Sequence, residues 1–89
     1  MNAHRDFIHF FRTTRVVSRK SQKDVAAALG LTTGQFISNI ERGRAMPPLK
    51  RSKEYAKAIG ANHKEFNGLL ELAMTEKIRQ KLGLKRNSK

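Results

Sequence analysis

Three glycines cut a chain with helical apolar periodicity into short pieces. Val25, Ala26 and Leu29 precede Gly30; Ile37 and Ile40 precede Gly43; Tyr55, Ala56 and Ile59 precede Gly60. In each piece apolar residues recur at helical spacing, and glycine takes the left-handed conformation that ends a helix. No segment gives a convincing strand pattern. Eighty-nine residues bury one compact core and little else. The pattern therefore predicts an all-α fold, a compact domain of five helices with a lengthened C-terminal helix.

Local signals set the expected boundaries. Helix 1 is read over Ala3–Val17, with Phe7, Phe10, Phe11 and Thr14 at helical spacing and Ile8 beside them. Ser21 caps helix 2, and Asp24 stands three residues on in a capping-box position. Leu31 and Thr32 form a short turn, and Thr33 is the expected N-cap of helix 3, which reaches Glu41. Arg44 to Pro47 reads as a loop, and Pro48 suits the first turn of helix 4, which carries Leu49, Tyr55, Ala56 and Ile59. Asn62 with Glu65 opens helix 5, which runs to about Leu82. Residues 1–82 thus form one domain, with its motif at 21–42, and Gly83–Lys89 form a basic, frayed tail.

Charge narrows the partner. Nineteen Lys and Arg against seven Asp and Glu give a net charge of +12. Such an excess on a small domain favours a polyanion. It also suits a merely soluble basic protein, or an anionic membrane surface, for which only the C-terminal segment could supply a basic amphipathic helix. No apolar run is long enough to span a bilayer, and Met1–Phe10 lacks the apolar stretch of a signal peptide. With no cysteine there is no disulfide framework, thiol nucleophile or zinc knuckle, which fits a reducing cytoplasm. His4, His9 and His63 show no metal-ligand spacing, and there is neither a glycine-rich phosphate loop nor a paired carboxylate in a cleft. The expectation is a binding protein rather than an enzyme, with no metal and no cofactor.

Helix 3 separates into two faces. Ile37 and Ile40 turn inward, while Gln35, Ser38, Asn39 and Arg42 fall at i, i+3, i+4 and i+7 and form one polar stripe. Gln and Asn present a donor and an acceptor that match the adenine edge in a major groove; Ser can do either, and Arg42, late on the helix, suits a phosphate. Taken alone, such a stripe is more often an ordinary solvated helix face. Gly34 would let the start of the helix approach DNA closely.

The run SQKDVAAALGLTTGQFISNIERGRAMPPL resembles the DNA-binding domain of phage lambda-type repressors and Cro proteins, the XRE family. Ser21-Gln22, Ala26, Leu29-Gly30, Ile37-Ser38, Ile40-Glu41-Arg42-Gly43 and Pro47 carry the resemblance, and Ala56-Lys57-Ala58-Ile59-Gly60 continues it. It covers about Ile8 to Leu70. It implies a helix-turn-helix whose third helix reads DNA bases through Gln35, Ser38 and Asn39. Gln22 would contact a phosphate with the helix 2 amides, and Arg15 would pair with Glu41. Arg19, Lys20, Lys23, Arg42, Arg44, Lys50 and Arg51 would line the phosphates, giving a log–log salt slope of about −5 if six or so engage. The chain departs from the family in three places. One extra turn residue is placed at Leu31-Thr32. Phe36 stands for a small polar residue, either at the domain edge or against a thymine methyl. Ser52 and Lys53 occupy positions where helix 4 usually buries an aliphatic side chain.

Met74, Ile78 and Leu82 extend the apolar stripe of helix 5 past the core. A two-fold homodimer could bury it, setting two reading helices about 34 Å apart; alternatively the stripe folds back over Phe7 and Phe11 of helix 1. Lys77, Arg79, Lys81, Lys85 and Arg86 make this end basic. The leading expectation is a cytoplasmic transcriptional regulator of bacterial or phage type, a repressor, on double-stranded DNA. The alternatives are a DNA-binding antitoxin with a small protein partner, a non-catalytic interaction module on the same fold, and a non-specific chromosome binder.

Overall fold

The computed structural model describes residues 2–83, and all regular structure among them is helical. The order is α1 (Ala3–Val17), α2 (Gln22–Ala28), α3 (Gln35–Glu41), a single 3₁₀ turn (Leu49–Arg51), α4 (Ser52–Ile59) and α5 (His63–Lys81). The tail from residue 84, with Lys85 and Arg86, lies outside the described residues.

Every helix gives side chains to one core. Phe7 and Phe11 of α1, Val25 of α2, Ile37 and Ile40 of α3, Ile59 of α4, and Phe66 and Leu70 of α5 are fully buried. Phe66 is the hub of an aromatic cluster. It meets Phe7 edge-on at 5.3 Å and lies 6.2 Å from Phe11 and 6.3 Å from Phe10. Each such ring contributes about 1.5–3 kcal/mol by burial alone, and edge contacts add about 0.5–1.5 kcal/mol. The two ends of the helical domain, α1 and α5, are thereby packed on each other.

Polar side chains close the helix starts. Asn2 accepts from the Arg5 amide, Ser21 and Asp24 form a reciprocal capping box, and Asn62 accepts from the Glu65 amide. The bonds from Ser21 hold the Asp24 carboxyl below its ordinary pKa. Glu76, only 7 % exposed, accepts from the His4 amide at 3.1 Å, so a buried α5 carboxylate satisfies a first-turn donor of α1.

The C-termini repeat one device. The Leu31 amide bonds Ala26 O and the Arg44 amide bonds Asn39 O, each just beyond a glycine with φ of 76° or 78°. At the end of α1 the Lys20 amide bonds Arg15 O at 3.2 Å and the Arg19 amide bonds Val16 O at 2.9 Å, and here the left-handed residue is Arg19, φ 59°. It is the one non-glycine with positive φ among the described residues.

Four expectations change. Helix 3 begins at Gln35 with Gly34 as N-cap, not with Thr33 as cap; the Thr33 hydroxyl accepts instead from the Gln35 amide at 3.2 Å. Helix 4 is not continuous from Pro48, because the chain makes a 3₁₀ turn first and Leu49 stays 44 % exposed. Ser52 is buried without an aliphatic side chain, since its hydroxyl donates to Asn67 Oδ1 at 2.9 Å and lies 3.3 Å from His63 Nε2. Finally, Ile78 and Leu82 do not fold over α1. Phe66 covers that helix, and Ile78 and Leu82 remain 57 % and 68 % exposed.

Candidate nucleic-acid interface

The unit α2–turn–α3 is built by close approach. Ala26 is buried, and a Cβ on Gly34 would lie 3.4 Å from the Gln22 backbone carbon, its Cβ and the Lys23 amide nitrogen. A Cβ there would fill the remaining space in van der Waals contact, so the start of α3 rests on the first turn of α2. Ile37 and Ile40, fully buried, hold α3 from the inside.

One carboxylate ties the first three helices together. Arg15 Nε and Nη2 donate to Glu41 at 2.6 and 3.0 Å, and Gln22 Nε2 donates to the same carboxylate at 3.1 Å. Arg15 Nη1 also donates to Lys20 O at 2.7 Å. The Arg15 and Glu41 side chains are 11 % and 4 % exposed. A forked, two-point pair of this kind fixes orientation as well as distance. Nothing in the spacing of Gln22 and Glu41 signals their contact; it depends on how α3 crosses α2.

On the opposite side of α3, Gln35 and Arg42 are exposed and Ser38 and Asn39 are half-buried. Gln35 Nε2 donates to Asn39 Oδ1 at 3.1 Å. The pair then has Gln35 Oε1 as acceptor and Asn39 Nδ2 as donor for a third body. Phe36 packs at the edge of the core, its ring 6.4 Å from Tyr55 in T-shaped contact.

The basic residues fall into two groups. Arg19, Lys23, Arg42, Arg44 and Lys50 are exposed around the ends of α2 and α3 and the loop that follows. Lys20 and Arg51 instead line a cleft between the end of α2 and α4, with Leu29, Glu54 and Lys57. Arg51 is tied into the fold there. It pairs with Glu54, donates from Nη2 to Leu29 O at 3.1 Å and lies 5.7 Å over the Tyr55 ring. Glu54 pushes the Arg51 pKa up, and burial pushes up that of Tyr55. Arg51 thus joins the start of α4 to the carbonyl of Leu29, the C-cap of α2, a role with no local signal in the sequence.

Among the described residues no group of three His, Asp or Glu side chains is placed to hold a metal ion, and no helix is long and apolar enough to cross a membrane.

A family model described as helix-turn-helix matches residues 18–66, more than half of the chain. Comparison with curated proteins and with solved structures gave no match. The matched stretch begins at the end cap of α1, takes in α2, α3 and α4, and stops at Phe66 in the first turn of α5. With the Gly34 contact seating one helix start on the other and Glu41 binding three helices, the fold and the match agree: this chain belongs to the XRE-type helix-turn-helix family of DNA-binding regulators.

Proposed function

We propose that the protein is a transcriptional repressor that binds a palindromic operator in double-stranded DNA as a homodimer, with α3 in the major groove of each half-site. The observation that carries this reading is the bonded Gln35–Asn39 pair on the outer face of a helix whose inner face is fully buried. Its acceptor and donor complement the N6 donor and N7 acceptor of adenine. Ser38 reads a neighbouring base edge.

Phosphate contacts supply register and most of the affinity. They come from Arg19, Lys23, Arg42, Arg44 and Lys50, which are exposed, with Lys20 and Arg51 further round the side. One amide hydrogen of Gln22 goes to Glu41, and the other reaches a phosphate together with the first amides of α2. The chemistry is recognition without catalysis, in a bacterial or phage setting and in the cytoplasm. A dimer spaces two reading helices about 34 Å apart, one turn of duplex.

Selection of bound sites from random duplexes tests the reading. Enrichment of an adenine-containing palindrome is the expected result. Salt-sensitive retention with no enriched sequence would overturn it in favour of non-specific chromosome binding.

A further inference from the structure

Late in α5, Met74, Lys77, Ile78 and Lys81 stand at i, i+3, i+4 and i+7, which brings them onto one side of the helix. Met46, from the loop after α3, joins them, and the five side chains form a shallow groove of about 200 Å³. Met46 and Met74 pack partly on the core, while Ile78 is 57 % exposed. The floor is therefore apolar and rich in thioethers, a surface that adapts to different side chains. Both charges on the rim are positive, and Lys77 and Lys81 are exposed. Neither lysine is ion-paired among the described residues. The acids nearest them in α5 are already engaged. Glu71 accepts from Asn67 Nδ2 at 3.1 Å, and the buried Glu76 accepts from the His4 amide.

We propose that this groove seats an acidic amphipathic helix of another protein, with apolar side chains on Met46, Met74 and Ile78 and carboxylates on Lys77 and Lys81. The two lysines stand about one helical turn apart, roughly 6 Å along the axis. Acidic residues at i and i+4 of a partner helix have the same rise and lie on one side of it. An apolar stripe beside those acids then enters the groove, the usual way an amphipathic helix docks.

Charge selects against the other occupants. A neutral helix leaves both ammonium groups unanswered, and a basic one is repelled by them. A second copy of the chain brings the same lysines to the same groove and carries its own net charge of +12. Two copies on one operator are brought together by the duplex and need not meet here. The groove draws on α5 and the loop after α3, and on no residue of α2 or α3. Its occupant is therefore independent of what the outer face of α3 binds.

The probe is a synthetic helix of about 15 residues, long enough to form alone, with a leucine stripe and glutamates at i and i+4 beside it. A lysine version and a scrambled peptide of the same acidic composition serve as comparisons. Fluorescence anisotropy is read without DNA in about 0.15 M salt, where attraction beyond about 8 Å is screened. Saturable binding of the acidic helix, and not of the other two, is the expected result. Lys77→Glu combined with Lys81→Glu should weaken it roughly tenfold and turn the preference to the lysine version. Ile78→Asp, at an exposed position, should weaken both versions. The same charge change at Lys53 and Lys64, exposed cations outside the groove, should leave the affinity as it was. Equal binding of the helical and scrambled acidic peptides overturns the proposal, as does an equal loss from the Lys53 and Lys64 reversal. Either result reduces the effect to the general pull of a basic protein. No binding overturns it too, and self-association in sedimentation that Ile78→Asp removes would then give the groove to a second copy. Because DNA is left out, failure here and failure to select a palindrome stay distinct.

Discussion

Replacing Arg19 with glycine should make the protein more stable and a poorer DNA binder at once. Arg19 closes α1 with φ 59°, a conformation in which the Cβ of an L-residue crowds the following carbonyl. That crowding costs about 1–2 kcal/mol. Glycine removes it but loses about 0.5–1 kcal/mol through the greater freedom of its unfolded chain. The net gain for Arg19→Gly is then about 0.5–1 kcal/mol, or about 3–6 °C in Tm for a domain of this size. Arg19 is exposed and its side chain gives nothing to the core, so no packing loss offsets the gain. On the proposed phosphate role of Arg19, binding moves the other way, and the salt slope should shrink by about 1. Arg19→Ala separates the two effects, since it loses the charge and keeps the left-handed crowding. The assays are urea denaturation and duplex titration at several salt concentrations, on all three proteins. A glycine variant no more stable than the parent would refute the backbone argument. Unchanged affinity and slope in both variants would remove Arg19 from the phosphate contacts.

Other perturbations test the remaining parts. Asn39→Ala should cost about 1–3 kcal/mol on the preferred site and relax preference at one base pair, whereas Arg44→Ala should weaken every duplex alike; site selection on each variant distinguishes them. Glu41→Ala leaves the Arg15 guanidinium buried beside one remaining carbonyl acceptor. It should cost about 3 kcal/mol or more in urea denaturation, and a loss within error would show that the three-helix junction contributes nothing. Gly30→Ala and Gly60→Ala impose the same left-handed strain, at φ of 76° and 83°. The new Cβ at 30 meets open space and that at 60 meets the Ser18 hydroxyl, so the second should unfold at distinctly lower denaturant. His4 is held below its ordinary pKa by burial, with Lys77 adding to it. The unfolded chain therefore takes up a proton first, and stability should rise with pH between the lowered value and about 6.5, then level off. His4→Gln should flatten that part of the profile, and an unaltered profile would show that His4 is not the group responsible.

Much of this architecture is legible before folding because its signals are local. Ser21 with Asp24, Asn62 with Glu65, and the glycines after α2, α3 and α4 mark helix ends through bonds within a few residues. The alternation of Ile37 and Ile40 with Gln35, Ser38 and Asn39 divides α3 into an inner and an outer face by spacing alone. What escapes is tertiary. Thr33 has the better capping side chain, yet Gly34 takes the N-cap position, packed closely on the first turn of α2, and the Thr33 hydroxyl accepts from the Gln35 amide instead. Ser52 looks like a defect in a buried face until Asn67, fifteen residues on, accepts its hydroxyl. Arg51 counts as one more surface cation until Glu54, Tyr55 and the Leu29 carbonyl surround it. Arg19 carries no mark at all, since only the traced backbone shows an arginine where glycine belongs.

The pairing of α1 with α5 has a consequence for synthesis. Phe7 and Phe11 stand on the first helix, and the Phe66 ring that covers them stands on the last. A ribosome that has made the whole of α2, the turn and α3 still holds a chain whose first helix has no lid. The nascent helix-turn-helix must therefore wait, with the Phe66 side of two phenylalanines uncovered, for the last helix. Domains fold as units during translation, and exposed apolar surface invites chaperones and proteases in the interval. A premature stop anywhere before Phe66 would consequently yield no partial DNA-binding unit, only a fragment for disposal.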